Sequence, residues 1–318
     1  MTAPEVESRV RVIAKERCAD DVVTVQLSPV DGDELPAWEP GAHVDLVLDG
    51  VASRQYSLCG DPADRSTYRL GVLCEANGRG SSRFVHDTLA VDDEVAVRGP
   101  RNHFGLKAGP SYLFIAGGIG ITAILPMVRA AERIGADWRL AYGGRRRASM
   151  AFVDELAKYG ERVGVHPQDE TGLLDLDGLL GAPAEGTLVY CCGPEPLLVV
   201  AEERCAAGWP THALHVERFS PRDTVEPTAN APFEIVLARS GTSLTVPGDR
   251  SILEVVQAAG VAVVCSCQNG VCGSCETGLL EGVADHRDSL LSDEEQEENA
   301  SLMICVSRAR SPRLVLDL

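Results

Sequence analysis

Apolar and polar residues alternate in short runs through the first hundred positions: RVRVIA (9–14), VVTVQL (22–27), HVDLVL (43–48), RQYSL (54–58), YRLGVL (68–73) and EVAVRG (94–99). A period of two is that of a strand with one buried face. Gly, Pro and Asp turns separate the runs, so this region predicts an antiparallel β-barrel or sandwich. One amphipathic helix is predicted over Ser82–Leu89. From about Tyr112 to Glu217 the pattern changes. Apolar strands YLFIA, WRLAY, RVGVH, TLVYC and ALHVE alternate with the helical stretches TAILPMVRAAERI, MAFVDELAKY and EPLLVVAEERCA. Such alternation predicts a parallel sheet covered on both faces. The stretch SPRDTVEPTANAP (220–232) has little to bury and reads as a linker. Beyond it, FEIVLA and SLTVPG predict a hairpin, ILEVVQAAG a helix and RLVLDL a last strand. The chain is therefore multidomain: a β-barrel over 1–108, an α/β domain over 109–219, the linker, and a small α+β domain of β-grasp type over 233–318.

The length of 318 residues fits that division, being too great for one ordinary core. A formal net charge of −18 argues against nucleic acid as a partner. It leaves open whether the acidic surface steers a basic protein or only keeps the chain soluble. No apolar run approaches the roughly 20 residues of a membrane span. The opening MTAPEVESRV lacks the apolar stretch of a secretory signal, so a cytoplasmic location is expected.

Eleven cysteines are many for a reducing compartment, where dense cysteine is more often metal-binding or catalytic than disulfide-bonded. Cys267, Cys272, Cys275 and Cys305 have the spacing C-x4-C-x2-C…C, that of a plant-type [2Fe–2S] cluster. Two tetrahedral irons sharing two sulfides need two thiolates each. Gly270, Gly273 and Ser274 keep the loop small, so that its N–H groups reach the sulfurs. A zinc site would normally show paired CxxC or Cys/His knuckles, and only one CxxC occurs. Cys265 gives the wrong spacing and reads as structural. The run Asp293, Glu294, Glu295, Glu297, Glu298 follows Ser292, a predicted N-cap. It is either a solvated helix or a docking face.

In the α/β region, strand YLFIA runs into Gly117, Gly118 and Gly120 and then a helix. Such a turn brings N–H groups and a helix start toward an anionic pyrophosphate. The third glycine of GxGxxG is missing, so this is not a standard dinucleotide fingerprint. A second turn, Cys192-Gly193-Pro194, follows strand TLVYC. Both turns end strands, where open α/β sheets bind ligands. Cys192 lies either beside a nicotinamide or simply in the core. A third turn carries Arg145, Arg146 and Arg147. It is suited to a 2′-phosphate, and equally to an ordinary solvated basic turn. In the barrel, alternation puts Arg54, Tyr56 and Leu58 on one face and Gln55 and Ser57 on the other. Asn77 to Ser82, with Gly80, Ser81 and Ser82, opens a helix with donors suited to phosphate.

In this order the chain resembles the phthalate dioxygenase reductase family. It is also similar to the reductase domain of self-sufficient cytochromes P450. The resemblance runs over the whole length and rests on RQYSL (54–58), GRGSS (78–82), RGPRNHF (98–104), GGIGIT (117–122), CGPEPL (192–197), HVERF (215–219) and the four cysteines. It implies an FMN-binding barrel, an NAD(P)H-binding domain and a C-terminal ferredoxin. It implies that Arg54, Tyr56, Ser57 and the Gly80–Ser82 turn hold FMN, with Thr122 near the flavin. Phe219 would cover the isoalloxazine, and Cys192 would sit by the hydride-transfer position. Ser81, where many relatives carry Gly, and Ala123, where Pro is common, are departures that leave backbone donors in place. The expected activity is that of an NAD(P)H-dependent reductase passing single electrons to a separate terminal oxygenase. A Rieske-type oxygenase or demethylase is favoured, and a cytochrome P450 is the rival. NADH is the family habit, while Arg145 to Arg147 lean to NADPH. A monomer is expected. A non-enzymatic iron–sulfur carrier is the reading of another class.

Overall fold

A computed structural model describes residues 6–32, 34–75, 78, 80–222 and 230–318. The chain divides into two compact units, Met1–Glu217 and Arg218–Leu318. In the first, six antiparallel strands lie in the spatial order Arg54–Ser57, His43–Val47, Glu94–Arg101, Glu7–Ala19, Val22–Pro29, Tyr68–Leu73. Alternation sets the inside of this sheet: Val10, Val12, Val25, Leu27, Leu46, Leu70 and Val72 are buried, while Arg9 and Arg11 face out. The two edge strands meet at an antiparallel bridge between Leu58 and Leu70, so the sheet curls back on itself. The helix in this region spans Ser81–Asp87, starting one residue and ending two residues earlier than predicted.

Five parallel strands follow, in the order Leu214–Glu217, Thr187–Cys192, Ser111–Gly117, Asp137–Gly144, Val163–Pro167. All five match predicted runs. Helices Ile121–Arg133 and Glu195–Ala206 also stand where predicted. The stretch MAFVDELAKY does not form one helix. Phe152 is left-handed at φ 62°, and only Val153–Leu156 is α-helical before a 3-10 turn. Met150, Ala151 and Phe152 are buried in the shared core, so packing overrides their helical pattern.

Both sheets of the first unit share one core cluster, which joins Val22, Cys59 and Phe104 to Ile121, Met127 and Tyr190. Polar contacts pin the same junction. Arg129, on helix Ile121–Arg133, donates to the carbonyls of Cys59 and Gly60 and to Glu155. Arg69 donates to Glu155 at 2.9 Å and lies over the Phe152 ring, 4.8 Å from its centroid. Burial raises the Glu155 carboxyl, but the two arginines outweigh it and hold the group below its ordinary value.

The second unit has a mixed five-stranded sheet in the order Thr242–Val246, Phe233–Leu237, Arg313–Leu316, Glu276–Glu281, Ser301–Met303. The pairing of Phe233–Leu237 with Arg313–Leu316 is parallel. Helix Ile252–Ala258 starts with a capping box between Ser251 and Glu254, and the acidic helix Asp293–Glu298 with one between Ser292 and Glu295. Much of the predicted linker, 223–229, lies outside the described residues. Among the described residues, no helix is long and apolar enough to cross a membrane.

Candidate functional site

The four spaced cysteines come together in the second unit. Cys267, Cys272 and Cys275 lie in the irregular stretch before strand Glu276–Glu281, and Cys305 lies just after Ser301–Met303. All four are buried. Asn269 N–H donates to Cys267 Sγ at 3.3 Å, and Ser274 Oγ lies 3.1 Å from Cys272 Sγ. Gly270 is left-handed at φ 70°, and a Cβ there would fall 2.7 Å from Val306 Cγ2. Only glycine closes this loop. As bare thiols the set is crowded. Cys272 is pushed up first by its hydrogen bond with Cys267 and then by burial. Cys305 rises too, since Cys275 and burial outweigh the lowering hydrogen bond to Cys267. Four neighbouring thiolates repel one another unless a cationic centre binds them, which is the chemistry an iron–sulfur unit supplies. Among the described residues, no group of three or more His, Cys, Asp or Glu is placed so as to hold a metal ion.

In the first unit the glycine turns form one edge. Strands Ser111–Gly117 and Thr187–Cys192 are parallel neighbours, with Ala116 opposite Cys192. A Cβ on Gly120 would fall 2.2 Å from the carbonyl oxygen of Cys192 and 2.8 Å from Gly193 N. One on Gly117 would fall 2.7 Å from both Pro194 Cδ and Leu197 Cδ2. The two turns therefore pack backbone on backbone. Gly118 takes φ 53° with open space beyond it. Thr122 is buried: Oγ1 donates to Ile119 O at 2.9 Å, and its methyl lies where a Cβ on Gly71 of the curled sheet would be 2.7 Å away.

Cys192 is fully buried, and burial first, then Glu217, holds its thiol well above the ordinary value. It is a neutral thiol, not a nucleophile. Glu217 stands opposite it in the strand register, with Oε2 4.0 Å from Sγ. Although the residue keeps some exposed surface, burial pushes its carboxyl from 4.5 up to about 8. Glu217 is the residue the sequence reading missed. Its only signals were the charged position ending an apolar strand and its place in HVERF. Phe219 lies in the second unit, 43% exposed. Arg145 and Arg147 are exposed on the turn after Asp137–Gly144. Arg147 is already engaged, forking onto Glu170 at 3.1 and 3.2 Å.

On the curled sheet, Gln55 and Arg101 both donate to the fully buried Asp45 at 2.7 Å. Ser57 is buried, and its Oγ has no hydrogen-bond partner among the described residues. Tyr56 is held in its neutral phenol form, by burial first and then by Glu75. Arg54 opens the same strand, half-buried. The serines of the GRGSS turn are spent locally: Ser81 Oγ donates to Ala52 O, and Ser82 Oγ accepts from Glu75 N–H. Backbone N–H groups after Gly80, which is left-handed with open space around it, are what remain for a ligand. Asn77 and Arg79 lie outside the described residues.

Residues 235–310 match the family described as 2Fe-2S iron-sulfur cluster binding domain. Over its full length the chain is 42% identical to the phenoxybenzoate dioxygenase subunit beta of Ectopseudomonas oleovorans, covering 98% of that protein. It superposes on phthalate dioxygenase reductase with a TM-score of 0.72 and 38% identity, over 99% of this chain and 98% of that one. The chain belongs to the phthalate dioxygenase reductase family. It also matches an intact type IV self-sufficient cytochrome P450 monooxygenase with a TM-score of 0.92 and 42% identity. That match covers 98% of this chain but only 41% of the P450 chain.

Two outcomes follow from this geometry. Gly120→Ala must push the two turns apart, and a displacement of about 1 Å at such a site costs about a hundredfold in rate. Nicotinamide oxidation by the variant should fall by that order while its cluster absorbance stays normal; wild-type turnover would refute the close-approach account. Glu217 binds a proton in the folded chain that the unfolded chain has lost, so it makes stability fall as pH rises from about 4.5 to about 8. Between pH 6 and 9 the wild type should lose at least about 2 °C more in Tm than Glu217→Gln, the effect of roughly 1 kcal/mol in a unit of this size. Parallel profiles would show that Glu217 ionises normally.

Proposed function

We propose that this chain is the NAD(P)H-dependent reductase component of an oxygenase system, carrying electrons through FMN and a [2Fe–2S] cluster to a separate terminal oxygenase. The observation that carries the reading is the coexistence, in one chain, of the buried four-cysteine loop and the glycine edge at Gly117–Gly120 and Cys192–Pro194. The solved relative's own description, electron transfer from pyridine nucleotides to [2Fe-2S], supports it.

In this reading Cys267, Cys272, Cys275 and Cys305 hold the cluster. Arg54, Gln55, Tyr56, Ser57 and the Gly80–Ser82 backbone hold FMN. Gly117, Gly118, Gly120, Gly193 and Pro194 seat the dinucleotide against bare backbone. Thr122 orients the floor between nucleotide and flavin. Cys192 walls the hydride position as a neutral thiol that does not attack the nicotinamide. When bound, the flavin takes a hydride and releases its electrons one at a time, and the cluster relays them at the low potential of plant-type centres, about −400 mV. NADH is the favoured coenzyme, a monomer the favoured state and the cytoplasm the favoured location.

For the acceptor, a Rieske-type oxygenase or demethylase is the first choice. A cytochrome P450 is the second, favoured by the fused relative. The reading as a non-enzymatic carrier predicts no nicotinamide oxidation at all. Purified Cys305→Ser should keep NADH–ferricyanide activity within about twofold and lose cytochrome c reduction at least about tenfold, since the cluster is the one-electron exit. Equal loss of both activities would sink the proposed order of carriers.

A further inference from the structure

We propose that Glu170 sets the choice of coenzyme: by gripping Arg147 it denies that arginine to a 2′-phosphate and biases the chain to NADH over NADPH. The inference rests on reading the Gly117–Gly120 edge as the nicotinamide-dinucleotide site.

Strand register places the pair on that edge. Gly117 lies opposite Gly143, and Gly144 lies opposite Pro167, in adjacent parallel pairings. The turns that follow Gly144 and Pro167 therefore stand side by side at the C-terminal end of the sheet, next to the glycine turn. They are also tied together, since Asp169 N–H donates to Arg145 O at 3.3 Å. Arg147 Nε meets one oxygen of Glu170 at 3.2 Å, and its terminal nitrogen meets the other at 3.1 Å. This is the fork by which an arginine would otherwise grip a phosphate. Both side chains are about half exposed, so the pair does little for stability. Its consequence is selective. A 2′-phosphate approaching Arg147 must displace one carboxylate and sit beside a second, Asp169. A 2′-hydroxyl is neutral and can donate to Glu170. Exposed Arg145 and Arg146 pull the other way, which is why the string of three arginines reads as an NADPH signal until its acidic neighbours, more than twenty residues on, are placed against it.

The test uses full-length holoprotein. Glu170→Gln keeps the side chain's size and removes its charge. The NADPH-to-NADH ratio of kcat/KM should rise about tenfold, the effect of one gained charge-assisted bond. Adding Arg147→Ala should return the ratio to the wild-type value. Titration calorimetry gives a readout independent of turnover: 2′,5′-ADP should bind Glu170→Gln about tenfold more tightly than wild type, with 5′-AMP changing far less. An unchanged ratio and unchanged 2′,5′-ADP binding, in a variant that still oxidises NADH, would overturn the role of Glu170 and leave the nucleotide site standing. A wild type that prefers NADPH would also overturn it. Oxidation of neither coenzyme by the wild type would overturn both readings.

Discussion

Everything in the first unit turns on one close approach. At Gly120 the backbone runs so near the carbonyl of Cys192 that a Cβ would fall 2.2 Å from its oxygen. That contact locks the ends of two parallel strands together and fixes where helix Ile121–Arg133 begins. The helix start carries Thr122 to Gly71 of the curled sheet, and eight residues from its start the same helix carries Arg129 to the carbonyls of Cys59 and Gly60. Two bare-backbone turns at one end and a half-buried Arg–Glu–Arg set at the other hold two sheets as one unit. Pairs of this kind contribute mainly through geometry, because desolvation cancels much of their attraction. Here geometry is what hydride transfer needs.

The second unit follows a different logic. Its buried thiols resist ionisation: the hydrogen bond with Cys267 and then burial oppose it at Cys272. Binding an iron–sulfur unit reverses that balance, so metal loading and the local fold support each other. Gly270 makes the loop possible by tolerating a left-handed backbone against Val306 and Asp288.

The strands and the cysteine set were legible in the sequence because each has a short-range signature. Period-two alternation marks Val10 and Val12 as inward, and C-x4-C-x2-C marks the cluster loop whatever the fold. The hairpin, helix and last strand of the second unit were legible for the same reason. MAFVDELAKY was misread because its apolar residues serve a core assembled from distant segments, which lets Phe152 take a left-handed backbone. Glu217 was missed because its meaning lies in a strand pairing with Cys192, 25 positions away, and the engagement of Arg147 was hidden because Glu170 lies on another strand's turn. Local pattern reports elements and ligand spacing. It does not report which charges meet across a sheet edge.

The central claim is a directed path from nicotinamide to the four-cysteine centre within one chain. Anaerobic addition of one equivalent of NADH to the purified holoprotein, followed by rapid-freeze electron paramagnetic resonance and visible absorbance, tests it most directly. The account predicts that flavin absorbance bleaches first and that the rhombic signal of a reduced [2Fe–2S] centre then grows in the same sample. A flavin that bleaches while the cluster stays oxidised, although dithionite reduces it, would contradict the path.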